Sequence, residues 1–341
     1  HADGSCDDFY PQERAMGATG FAAVAAARSL RLLDERSPDL AEFARRRAQW
    51  LLSHQESGRL ANHQALVALA AAEAAALLDD GPMRAAARER LALCLSWQHA
   101  EGWFQEYEGA DPGYQTMTIA LLAALRGHFP SAELSEALAR AVRFAAHFLA
   151  PDGTFGGEIG SRNTSQLFPS GLEHLAPDLP EAAYLVDGWL AGARAGRNVP
   201  MPDDKGISHW LHDFIDAFEA RRERRAAPAW CPPPGRTSFP AAGLHVVRAG
   251  DLYLAVASGK GGVFRAYKGD RLLRSDTGIV ATGEDGARYA MHLADPSAQA
   301  AWEGDSVVIR GGFCKADRPL LTPLRQTALR AAAADAGRVD P

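Results

Sequence analysis

Two kinds of helical pattern alternate through the first part of the chain. Residues from about 12 to 33, 62 to 78 and 114 to 126 are rich in Ala and Leu with few charges, the texture of a helix surrounded by other helices. Residues from about 39 to 54, 82 to 98 and 131 to 149 instead carry Arg and Glu at helical spacing on one side, as outer helices do. Pro38, Pro82 and Ser131 stand near the starts of this second set, where a fixed φ or an N-cap hydroxyl is favourable. Further helices are expected from about 180 to 195 and from about 207 to 225.

The helices are punctuated by a repeat. Four Gly-containing, aromatic or acidic segments recur at intervals of roughly 45 to 50 residues, the spacing of units that are each a pair of helices. They are DGSCDDFYP from Asp3, ESGRLANHQ from Glu56, AEGWFQEYEGADPGYQ from Ala100 and PDGTFGGEIGSRNTSQ from Pro151. An inner/outer alternation of hairpins with one turn type per unit predicts an incomplete or complete (α/α) toroid, with all four segments at the same end. The predicted toroid domain occupies residues 1–225.

After Arg225 the texture changes. AAPAWCPPPGRTSFP holds five prolines and reads as a linker or extended strap, placed at 226–238. Beyond it, LHVVRAGDLYLAVAS, GGVFRAYKGDRLLRSDTGIVAT, ARYAMHLAD and DSVVIRGGFC read as short strands divided by AGD, SGKGG, KGD and GEDG turns. These predict an antiparallel β-sandwich-like domain over 239–330, followed by a tail at 331–341. The fold class is therefore mainly α with a C-terminal β-domain.

Composition narrows the function classes. Hydrophobic residues make up 47% and charged residues 23% of the 341, which supports a sizeable core rather than disorder. A formal net charge of −6 gives no global positive field for a phosphate backbone, so nucleic acid is not an expected partner. The local exception, Arg221, Arg222, Arg224 and Arg225, is interrupted by Glu223 and reads as a solvated helix end, with an anionic-ligand contact as the alternative. Cys6, Cys94, Cys231 and Cys314 lie far apart without a CxxC pair, which points to free thiols. Arg, Glu and Asp punctuate the Ala-rich runs, so no membrane span is expected. The chain opens at His1 inside a motif-like segment; an upstream signal peptide, the localisation and the oligomeric state stay open.

The candidate chemistry lies in the repeated segments. Asn62 and His63 open an inner helix, where an amide and an imidazole can act together on a carboxylate and a proton, or serve as a helix cap and a surface histidine; Gln64 follows them. The third segment offers Tyr107 and Tyr114 with Glu106, Glu108, Asp111 and Gln115, while Trp103 and Phe104 supply flat faces for sugar rings or plug the end of the toroid. A tyrosine works as base or acid only beside a group that tunes its proton affinity, and Arg162 is the candidate. The fourth segment offers Glu158, Arg162, Asn163, Thr164 and Gln166; Arg162 suits bidentate binding of a carboxylate or sulfate, and Asn163 or Thr164 alternatively cap the next helix. Asp7, Asp8, Glu13 and Arg14 form either a fourth wall or a salt-bridged seam, with Glu13 and Arg14 assigned to the seam. There is no Walker loop, GxGxxG after a strand, HExxH or GxSxG elbow, and SGKGG from Ser258 reads as a hairpin turn.

With Asn62-His63, the Tyr107 to Tyr114 segment and a β-domain opening FPAAGLHVVRAGDLYLAV, the chain resembles the heparinase II/III-like polysaccharide lyases and their alginate-lyase relatives. The resemblance implies β-elimination at a uronic acid, with an acidic polysaccharide or oligosaccharide as partner. It casts Asn62 and His63 as the neutralising and proton-handling pair, Tyr107 or Tyr114 as the base or acid, and His245 as a further cleft residue. The family's zinc-binding histidines have no counterpart in SGKGGVFRAYKGD, so neither metal nor cofactor is carried over, and the β-domain is short for the family. QHAEGWF, DGSCDD and PDGTFGG are also similar to repeat turns of terpene-cyclase-like and prenyltransferase-type toroids, although SCDD does not supply their aspartate cluster. A non-catalytic protein that binds glycan or organises surface-polysaccharide assembly is the non-enzymatic alternative.

Overall fold

Nine α-helices precede ten β-strands among the described residues of the computed structural model. Those residues are 1–8, 11–35, 37–56, 58–107, 109–198, 210–221, 230–291, 298–316 and a few positions between 322 and 332. Glu108, Arg222, Arg224, Arg225, the linker residues 226–229, both ends of the helix expected at 207–225 and most of the tail lie outside them. The helical region followed by antiparallel sheets is the expected order of classes. By contacts, the chain divides into two compact units, one built on His1–Ser96 and the other on Trp97–Asp317.

The first unit holds α1 (Met16–Leu32), α2 (Pro38–Ser53), α3 (Ala61–Leu78) and α4 (Gly81–Ser96). α3 packs against the other three, and its run of alanines lets them close on it from several sides. This helix is long and apolar enough to cross a bilayer, yet 83% of it is buried inside the protein. Its one acidic residue, Glu73, is 4% exposed and is held by Arg28 (2.8 Å) and Arg31 of α1, the pairing that a buried carboxylate requires. Arg90 of α4 donates to Gln64 on α3 (3.0 Å) and to the carbonyls of Leu52 and His54, satisfying the open C-terminus of α2.

The second unit holds α5 (Pro112–Leu125), α6 (Ala132–Ala146), α7 (Ser170–Leu175), α8 (Pro180–Arg194) and α9 (Leu211–Ala220). Capping sets the starts of two of them: Ser131 accepts from the Leu134 N–H at 3.1 Å, and Asp111 from the Tyr114 N–H at 2.9 Å. The short α7 was not anticipated in the sequence; it bridges α5, α8 and α9. A five-stranded antiparallel meander follows, ordered β1 (Gly235–Phe239), β2 (Leu244–Ala249), β3 (Leu252–Ala257), β4 (Val263–Lys268) and β5 (Arg271–Asp276). The stretch read as a strap thus contributes the edge strand β1 from its proline-free part, Gly235–Phe239. The SGKGG hairpin between β3 and β4 is present as read from the sequence. β6 (Val280–Thr282), β7 (Arg288–Ala290) and β10 (Cys314–Lys315) make a second sheet, and β8 (Gln299–Glu303) pairs with β9 (Ser306–Arg310).

The meander is joined to the helices by aromatic packing and backbone capture. Phe239 packs edge-on against Phe144 (4.8 Å between centroids) near the end of α6, and the Tyr253 hydroxyl and Arg248 both donate to the His147 carbonyl just beyond it. Glu101 accepts from the backbone N–H groups of Ala241 and Ala242 at 2.9 and 3.1 Å.

The third and fourth repeated segments share one turn. Gly102 and Gly153 have φ of +101° and +82°, and each turn is flanked by a single antiparallel bridge, Gln98 with Phe104 and Leu149 with Phe155. A Cβ on either glycine would collide with a neighbouring helix, at the Arg140 carbonyl of α6 and the Gly192 Cα of α8. Gly4, with φ of +96°, meets the backbone of Arg46 on α2 in the same way inside the first unit. Only glycine meets both demands, a left-handed backbone and contact with bare main chain.

Candidate functional site

In the second unit, the 106–115 segment and the 156–166 loop are laced together around one buried carboxylate. Asp111 is 1% exposed; its Oδ1 caps α5, and its Oδ2 accepts from the backbone N–H groups of Arg162 (2.8 Å) and Thr164 (3.4 Å). Burial pushes its proton affinity up, against the lowering effect of these N–H groups. Ser161 adds two links, its N–H donating to the Ala110 carbonyl (3.0 Å) and its hydroxyl to the Glu106 carbonyl (3.1 Å).

These links place the Arg162 guanidinium between two phenols. Its Cζ lies 3.6 Å from the Tyr114 ring centroid and 5.0 Å from that of Tyr107, within cation–π range of both. Among the described residues its hydrogen-bond partner is buried Glu106, at 3.4 Å, so most of the five N–H donors of the fork remain for a ligand. Tyr107 is 45% exposed and holds a left-handed backbone with φ of 54°, a conformation uncommon for a bulky residue. Tyr114 is less open, and desolvation raises its proton affinity above the ordinary tyrosine value although Arg162 pulls the other way. It therefore keeps its proton at neutral pH.

The sheet supports the loop from the other side. Lys260, in the β3–β4 turn, directs its ammonium to the carbonyls of Glu158 (2.6 Å) and Gly160 (2.9 Å) and to Asn163 Oδ1. Arg265 of β4 grips the Glu158 carboxylate with two N–H groups, one from Nε at 2.6 Å. Burial lowers the proton affinity of Lys260, while Asp111 and Glu158 raise it. Neither cation was singled out in the sequence; a lone lysine set among glycines between two strands was the available signal.

The remaining candidates occupy three settings. Gln115 uses its amide to satisfy backbone groups, accepting from the Phe104 N–H (3.0 Å) and donating to the Gly102 carbonyl (3.1 Å). Trp103 is 6% exposed, stacks on His99 and donates to Glu101 (2.9 Å). His245 is buried between the hydroxyls of Ser238 (3.0 Å) and Ser258 (3.2 Å), with its proton affinity lowered by desolvation.

Asn62, His63 and Gln64 belong to the first unit. Asn62 is 1% exposed at the start of α3. Glu56 Oε2 accepts from His63 Nδ1 at 2.7 Å, which fixes the tautomer and leaves Nε2 as the basic nitrogen. Gln64 is engaged by Arg90. The acidic first segment is locally saturated: Asp7 accepts from the N–H groups of Gln12 and Arg14, Glu13 accepts from the Asp8 N–H, and Arg14 pairs with Asp3 at 3.5 Å. No disulfide joins the four cysteines, and among the described residues no group of three or more His, Cys, Asp or Glu converges as metal ligands.

Neither a family model nor a curated protein matches this chain.

Proposed function

We propose that the chain is a polysaccharide-acting enzyme, a lyase that cleaves a uronic-acid-containing glycan by β-elimination. The observation that carries this reading is the Arg162 guanidinium, stacked between two tyrosines with donors to spare. In the elimination a base takes the C5 proton, the electron pair forms the C4–C5 double bond, and the C4–O bond breaks onto a protonated leaving oxygen. Arg162 binds the uronate carboxylate bidentately, which stabilises the charge that develops when C5 loses its proton. Tyr114, protonated at neutral pH, donates to the leaving oxygen. Tyr107, at the open edge of the stack, contacts the sugar.

The reading extends to the helical hairpins as an incomplete or complete (α/α) toroid and to the sheets as a sandwich-like β-domain, by resemblance to the heparinase II/III-like lyases. That resemblance gives His63 proton handling, and the Glu56 contact supports it by orienting the ring through Nδ1. The direct test is incubation with a panel of uronate polysaccharides, following the ultraviolet absorbance of the unsaturated product. Absorbance growth with new reducing ends is expected. Glycan binding without new absorbance would instead favour the non-catalytic, glycan-organising alternative.

A further inference from the structure

A second concavity lies in the same unit, where the 165–168 stretch meets α8 and α9. It encloses about 290 Å³, near the small end of ligand cavities. Four aromatic residues line it: Phe168, Trp189, Trp210 and Phe214. They brace one another in pairs, Trp189 stacked on Phe214 at 5.9 Å and Phe168 edge-on to Trp210 at 6.0 Å, so the walls are set before a ligand arrives.

One ionisable group completes the lining. Asp213 on α9 is 4% exposed and is held by the N–H (3.3 Å) and the hydroxyl of Ser170. No lysine, arginine or histidine lines the cavity among the described residues. Each carboxyl oxygen can accept more than the one bond Ser170 gives it, so acceptor capacity remains. Gln166 and Asn198 add amides at the lining, Asn198 already donating to the Trp189 carbonyl at 3.0 Å.

We propose that this cavity is a binding subsite for a neutral sugar ring, in which indole faces cover the C–H faces of a pyranose and Asp213 accepts from its hydroxyls. The proposal rests on the glycan reading above and deepens it: the substrate joins acidic and neutral sugars. Aromatic faces next to a few polar groups match a ring that is apolar above and below and hydroxylated at its edge. A uronate is disfavoured here, because among the described residues no cation lines the cavity to receive its carboxylate. Burial pushes Asp213 up to about 7, so the site carries little fixed charge at neutral pH, as a neutral ligand allows.

The two sites are neighbours along the chain. Arg162 and Thr164 are pinned on Asp111, and Phe168 N–H donates to Thr116 Oγ1 at 3.0 Å. The four peptide units between Arg162 and Gln166 span at most about 14 Å, within reach of a short oligosaccharide.

The test is titration of the full chain with neutral methyl pyranosides and with uronate monosaccharides, read by tryptophan fluorescence and saturation-transfer NMR. A neutral sugar is expected to bind and to quench the fluorescence. Trp210→Ala should weaken it about tenfold, the scale of a lost stacking contact, and Gln166→Ala, a less drastic change, should weaken it severalfold. Arg162→Ala should leave it unchanged. Absence of binding by every neutral sugar, preference for uronates, or full affinity in the Gln166 and Trp210 variants would overturn the subsite. Neutral-sugar binding without elimination of any uronate would retain the subsite and discard the lyase reading.

Discussion

Around Arg162 every buried charge has a counterpart, whereas the Asp213 cavity leaves its one acid to a single serine. Asp111 collects three backbone N–H groups, Glu158 is gripped by Arg265, and Lys260 has three oxygens around it. Among the described residues Asp213 is held by Ser170, and its proton affinity rises to about 7. Both carboxylates are buried and burial raises the proton affinity of both, so what separates them is the number of partners around each. A compensated network holds a fixed charge ready for an ionic ligand. An uncompensated acid among aromatic rings sheds its charge and suits a neutral one.

The sharpest way to break this contrast is Arg162→Ala, expected to lower kcat/KM on a uronate glycan by about a thousandfold, the scale of a lost charge-stabilising donor. Arg162→Lys should recover little of it, because an ammonium lacks the planar fork that stacks and binds bidentately. Activity in Arg162→Ala close to wild type would remove the anion site altogether. Tyr114→Phe comes next, with kcat reduced by about a hundredfold and the thermal midpoint nearly unchanged. His63→Ala should cost about a hundredfold as well if its imidazole handles a proton, again without unfolding; loss of the folded state would assign it to the core of its unit.

The remaining expected effect is on stability and depends on pH. Asp213 titrates near 7 in the folded chain against an ordinary value of 3.8. Between those values the folded chain keeps a proton that the unfolded chain releases, so this group's contribution falls as pH rises through the window, by up to about 4 kcal/mol. His147 acts oppositely: burial, with Arg248 adding to it, lowers it to about 4 from 6.5, and its contribution falls as pH drops through that range. Asp213→Asn should therefore gain stability relative to the parent between pH 5 and pH 8 in urea denaturation. An equal difference at both pH values would show that Asp213 carries no such penalty.

Much of the helical order was legible because its signals are local. Ser131 caps α6 through its hydroxyl, Pro38 opens α2, and the glycine turns stand out by spacing and by the D-G-S, E-G-W and D-G-T triplets. The sequence pointed to Asn62, His63, Tyr107, Tyr114 and Arg162 together; the contacts join Tyr107, Tyr114 and Arg162, while Asn62 and His63 belong to the other unit. The supports from the sheet were not legible. Lys260 sits in what any sequence reading makes a hairpin turn, and its ammonium finds the loop only through the packing of the meander. The aromatic cavity was hidden for a different reason: Trp189 and Phe214 fall at helical positions where a buried ring usually means core.

The bare contacts of Gly4, Gly102 and Gly153 with α2, α6 and α8 set a standard separation between turn and helix, the thickness of two main chains. Such a joint works like a fixed socket: what is plugged in after it can vary while the frame stays put. The residues following each glycine, Ser-Cys-Asp in one case, Trp-Phe-Gln in another and Thr-Phe-Gly in the third, bear this out in their diversity. A change of chemistry after any of these glycines then requires no change in how its turn meets the helix.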